Sequence, residues 1–201
     1  MKKKFKTIIS ILIIFAMTLC TTAYSSNIDI TNNQTLSQNN FTKRLKTFFE
    51  SEFVKIMFDG KSLTEILTNA ILNISLEEKT EIENKYQISL DKSNFETDEL
   101  KFSIFEKLIK AMMKEEIETG RLTNKPFDAL TMILRFLGKP NIPNINIKKG
   151  MTDQEIEVLC DQILDILLMV TDEQTLKILG IDLNNPDTMA ELKRNIESSL
   201  N

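Results

Sequence analysis

Cys160 is a possible nucleophile, Ser89 and Lys92 have the spacing Ser-x-x-Lys, and two groups of carboxylates stand out, Glu77, Glu78 and Glu81, then Glu115, Glu116 and Glu118. These residue types can carry thiol chemistry, acyl transfer or metal binding. Their context argues otherwise in each case. Ile156, Leu159, Cys160, Ile163, Leu167 and Val170 share helical spacing, so Cys160 lies on an apolar face, where a thiol behaves as a small hydrophobe. The Ser-x-x-Lys match falls in a turn region and lacks the companion motifs of the penicillin-binding class. Glutamates on exposed helix faces are ordinarily solvated charge beside lysines, here Lys79 and Lys114.

The chain has no histidine. That removes the commonest general base, the Ser-His-Asp and Cys-His arrangements, and most zinc and di-iron sites. No glycine-rich phosphate loop or dinucleotide fingerprint is present. Asp182-x-Asn184 begins like a calcium loop, but Pro186 and the missing glycine and terminal glutamate depart from EF-hand spacing. The sequence therefore assigns no catalytic, cofactor-binding or metal-ligating residue.

The elements are helical. Phe41, Leu45, Phe48, Phe49, Phe53, Ile56 and Met57 fall on one face of a helix closed by Gly60. This stripe, flanked by Lys43, Arg44 and Lys46, reads as core, with a membrane surface as the competing use. Ser62-x-x-Glu65, Ser75-x-x-Glu78 and Thr152-x-x-Glu155 are capping boxes. Thr97 caps a long helix ending at Gly120, and Asn124 with Pro126 opens one that stops at Gly138. Residues 139–150 form the one clear internal loop. Thr171-x-x-Gln174 caps a short helix ending at Gly180, and Asn185-Pro186 opens the last, to about Ser199. The expected fold class is all-α, with about eight helices. Five glycines and four prolines are too few for an all-β chain of many tight turns.

Two stretches run in parallel. "FESEFVKIMFDGK" at 49–61 resembles "FDALTMILRFLGK" at 127–139, and the apolar positions of 66–82 coincide with those of 162–178. The spacing predicts duplicated halves, 41–110 and 121–200, packed as a bundle or short solenoid.

The N-terminus sets the compartment. Lys2, Lys3, Lys4 and Lys6 precede an apolar run from Ile8 to Leu19 and the small residues Thr21, Thr22 and Ala23. Charge, short apolar run and small residues in that order form a signal peptide over 1–23. The run is shorter than the roughly 20 residues of a membrane-spanning helix. Cleavage after Ala23 leaves a flexible polar segment, 24–40, ahead of the helical domain at 41–200. Lipidation at Cys20 is the alternative, although Leu19 occupies a position where a lipobox has a small residue, and a retained anchor is a third. Asn33, Asn40 and Asn73 match the glycosylation pattern, which matters only in a eukaryotic host.

Removing the four leader lysines takes the formal charge from −4 to −8. An acidic surface disfavours nucleic acid and anionic lipid. The expected function is an exported, non-catalytic, protein-binding module in the periplasm or medium, touching a membrane only through Cys20 or a retained leader. One alternative is a carrier of an apolar small molecule, using Met57, Met112, Met113, Met132 and Met169 as an adaptable lining. Another is a histidine-independent hydrolase-type enzyme resting on carboxylates or lysine.

Overall fold

The computed structural model describes residues 41–199. The signal segment 1–23 and the polar segment 24–40 lie outside the described residues. Among these the fold is all-α: nine helices, no strand, and one 3-10 turn at Lys92–Phe95. The helices are α1 (Phe41–Phe49), α2 (Glu52–Met57), α3 (Leu63–Leu72), α4 (Leu76–Tyr86), α5 (Asp98–Glu118), α6 (Lys125–Phe136), α7 (Asp153–Val170), α8 (Glu173–Ile178) and α9 (Pro186–Ser199).

The expected single helix from Phe41 to Gly60 is two. Ser51 adopts an extended backbone, and its Oγ accepts from Val54 N–H at 3.3 Å. This cap restarts the chain as α2, so Phe53 and Val54 turn inward. Gly60, at φ 76°, then closes α2 by donating its N–H to Lys55 C=O at 2.8 Å. That left-handed conformation costs glycine least.

A second correction concerns α8. Its cap is Asp172, whose Oδ2 accepts from Thr175 N–H at 3.1 Å. Thr171 instead ends α7, buried, donating its hydroxyl to Leu167 C=O at 2.7 Å. Asn124 precedes α6 as expected but does not cap it with its side chain. Its amide holds the 139–150 loop instead, accepting from Ile147 N–H at 2.6 Å.

The reciprocal capping boxes form at Ser75/Glu78 and Thr152/Glu155. At Thr152, Glu155 accepts from the cap N–H at 2.8 Å and meets Lys148 at 2.8 Å. Its carboxyl is lowered to about 2, first by Lys148, then by the bonds from Thr152. A depressed carboxyl stabilises the fold above its unfolded value, and that contribution is lost as pH falls through the folded one. Thr152→Ala lowers unfolding stability by about 1 kcal/mol. NMR titration of Glu155 in the wild type is expected to show a midpoint lowered to about 2, and in the variant that midpoint should move up.

Helices α1, α5 and α7 pack on one another, with α6 and α8 set against α7. Four rings hold the α1–α5 side. Phe49 lies 5.6 Å from Phe102 and 6.0 Å from Phe105, and Phe105 also meets Phe95 at 6.4 Å and Phe102 at 5.6 Å. The Phe stripe of α1 is thus core, as its spacing suggests. All six apolar-face residues of α7, Cys160 included, are buried.

Candidate functional site

Helix α4 is attached differently. It buries no residue completely, and its first residue, Leu76, is 79% exposed. Ile82 and Tyr86 pack half-buried against the core, and polar contacts add to them. Lys85 Nζ and Tyr86 Oη donate to Glu115 Oε2 on α5 at 2.6 and 2.8 Å. Glu83 Oε1 accepts from Leu90 N–H at 2.6 Å, and Lys79 Nζ meets Asp91 Oδ1 at 2.8 Å. The Asp91 hydrogen bond raises the Lys79 ammonium and, with Ser89, lowers the Asp91 carboxyl.

A groove of about 410 Å³ lies between the end of α3, the start of α4 and the chain at Leu90 and Lys92. Ile71 and Leu90, both buried, contribute apolar lining, and Leu72, 37% exposed, adds to it. Leu76 stands one turn before Lys79. Asn69, Asn73, Lys79 and Lys92 supply the polar lining. Asn73 is partly spent, donating its amide to Asn69 C=O at 2.7 Å. The ammonium of Lys92 makes no ion pair among the described residues. The volume lies within the ~300–1,000 Å³ usual for binding sites. An apolar side chain with a neighbouring carboxylate or carbonyl matches this lining.

Sequence reasoning did not find this site. Leu72 and Leu76 read as ordinary apolar positions; the fold puts Leu72 in the groove lining and leaves Leu76 exposed one turn from the lining residue Lys79. The Ser-x-x-Lys residues do meet the neighbourhood, but Ser89 Oγ donates to Asp91 Oδ2 at 2.9 Å and Lys92 lies on the groove. The pair is not assembled as nucleophile and base.

The carboxylates that meet in the fold are held by cations. Lys110 Nζ binds Glu106 Oε1 at 2.7 Å and Glu157 Oε1 at 2.6 Å, and lies 5.3 Å from the Phe41 ring centroid. Thr42 donates to Glu106. Arg44 binds Asp161 Oδ1 at 3.1 Å, the Asp161 carbonyl at 3.2 Å, and Asp165. Burial raises the Asp161 carboxyl against the opposing pull of Arg44. Four of the six clustered glutamates go into separate structural bonds: Glu115 to α4, Glu116 to Arg121, Glu118 to Gly150 N–H at 2.7 Å, and Glu78 to its own cap. Lys114 turns to Asp153 rather than to them. Among the described residues no group of three or more metal-ligating side chains converges.

Helices α1, α5, α6 and α7 also enclose an apolar cavity of about 40 Å³, lined by Phe41, Leu45, Met113, Phe127, Cys160 and others. Cys160 is 2% exposed, its Sγ lies 3.4 Å from Met113 Sδ, and burial pushes its thiol up to about 12. A thiol so protonated and covered is inert. An aromatic disulfide reagent is therefore expected to leave Cys160 unreacted in the native chain at neutral pH and to modify it on unfolding. Rapid native modification would contradict this placement.

No helix among the described residues is long and apolar enough to cross a membrane. No protein-family model, curated protein or solved structure matches the chain.

Proposed function

We propose that the chain is an exported, non-catalytic helical module that binds a protein, and that the α3–α4 groove receives an apolar side chain of that partner. The observation that carries this is an open groove of about 410 Å³ that holds the outward-facing Leu72 and the ammonium of Lys92 in its lining, with the exposed Leu76 one turn from Lys79. Buried apolar anchors bounded by polar groups are how such modules hold a partner. Export rests on the order of Lys2 to Lys6, the Ile8–Leu19 run and the small residues through Ala23. The duplicated halves, 41–110 and 121–200, belong to the same proposal.

The carrier reading has less support. A cavity of about 40 Å³ is far below the ~300 Å³ that an ordinary small ligand occupies. Of the methionines invoked for it, Met132 faces solvent at 55% exposure. The enzyme reading would need Glu106, Glu157, Asp161 or Asp165 released from Lys110 and Arg44.

Leu76→Glu tests the proposal cleanly. The residue begins α4, where an added carboxylate favours the helix N-terminus. Its thermal midpoint should stay within a few degrees of wild type. Co-purification of the partner from the extracytoplasmic fraction should fall at least about tenfold, the equivalent of ~1.4 kcal/mol. Undiminished recovery of the same partner with both Leu76→Glu and Lys92→Glu would sink the groove assignment.

A further inference from the structure

Helix α6 is apolar on two opposite faces. Phe127, Leu130, Thr131 and Leu134 are buried against the core. On the far side, Met132 and Phe136 lie one turn apart and point outward; Ala129 and Ile133 beside them are half-buried, and Ile133 also packs against the core. Met132 is 55% and Phe136 66% exposed, both large for apolar side chains. One helical element rarely carries two such stripes unless both are covered.

The flanking charges indicate what covers the second one. Asp128 and Arg135 are exposed, lie on the same flank of the outer stripe, and make no ion pair among the described residues. They are two helical turns apart, with Met132 between them. In an antiparallel pairing of two α6 helices about a two-fold axis near Met132, Asp128 of one copy comes opposite Arg135 of the other. The same pair forms again on the far side of the axis, because a two-fold interface is self-complementary. In a parallel pairing this flank of the two copies falls on opposite sides of the interface, so neither Asp128 nor Arg135 meets its counterpart. Charge and apolar pattern thus agree on one geometry.

We infer that the outer face of α6 is a self-association surface, and that its occupant is a second copy of this chain in antiparallel register. The inference is independent of the groove at α3 and α4, which lies on other elements. One helix pair is small beside a standard interface of about 1,600 Å², so the dimer dissociates on dilution.

The test is sedimentation velocity of the full chain, expressed with its own leader and purified as the cell delivers it, across a concentration series. The wild type shifts from monomer to dimer with concentration. Asp128→Arg and Arg135→Asp each move the transition at least about tenfold higher, and the double exchange Asp128→Arg/Arg135→Asp restores it. Phe136→Glu abolishes it, while circular dichroism matches wild type. All three substituted positions are exposed, so folding is retained. A wild type that stays monomeric throughout, covered by residues 24–40 or another partner, would overturn the inference. So would a dimer that survives Phe136→Glu, or single charge reversals that the double exchange fails to rescue.

Discussion

Phe105→Ala is expected to lower the unfolding free energy by about 3–5 kcal/mol. Phe105 is 2% exposed and contacts three other rings: Phe49, Phe95 and Phe102. Truncation removes its buried area, empties a site between α1, α5 and the 3-10 turn, and strips the remaining rings of a packing partner. Domains of this kind are stable by only ~5–15 kcal/mol, so the loss takes a large share of the total. Urea unfolding followed by circular dichroism measures it. Phe136→Ala is the internal control. At 66% exposure it should cost no more than about 0.5 kcal/mol under dilute, monomeric conditions. Equal losses at the two positions would mean that α5 or α6 is turned the wrong way.

Arg44→Met should cost about 2 kcal/mol at neutral pH. A guanidinium with 14% side-chain exposure bridges Asp161 and Asp165 across the α1–α7 contact. Removing one member of a fully buried pair costs ~3–5 kcal/mol because a charge is left uncompensated. The two carboxylates keep 39% and 28% exposure, so solvent screening reduces the figure. The loss depends on pH. Burial already raises the Asp161 carboxyl above its unfolded value, and Arg44 opposes that rise. A carboxyl raised in the folded state destabilises the fold while ionised and ceases to do so once protonated. The deficit of Arg44→Met is therefore full at neutral pH and shrinks as pH falls through the raised value. Paired urea titrations of both proteins at about pH 7 and about pH 4.5 check it. A deficit that grows on acidification would contradict the bridge.

Helix starts and stops were legible because they are local chemistry. Ser62, Ser75, Thr97 and Thr152 accept the N–H groups that helix geometry leaves free, and no distant residue is needed to say so. The errors share a cause. At Ser51 and at Thr171-Asp172, two readings of the same polar residues compete, and packing decides between them. Burying Phe53 and Val54 favours the break at Ser51, while burying Thr171 leaves Asp172 to cap. Arg44 illustrates a different limit. In sequence it is one of three cations beside a Phe stripe; only the approach of α7, more than a hundred residues away, makes it a clamp on two carboxylates. The groove was least legible. Its lining is assembled from the end of one helix, the start of another and a loop, and no local pattern brings these together. The reading of Met132 as pocket lining rests on methionine content, which carries no placement, and the fold turns its side chain outward at 55% exposure.

The central claim is that the α3–α4 groove holds a protein partner. Photo-cross-linking in the native host addresses it most directly, with the reactive residue placed at Leu76 and, in a matched chain, at exposed Lys107 on α5. The account predicts one discrete protein adduct from position 76, absent from position 107 and lost when Leu72→Glu is added. No adduct from position 76, or the same adducts from both positions, would contradict it.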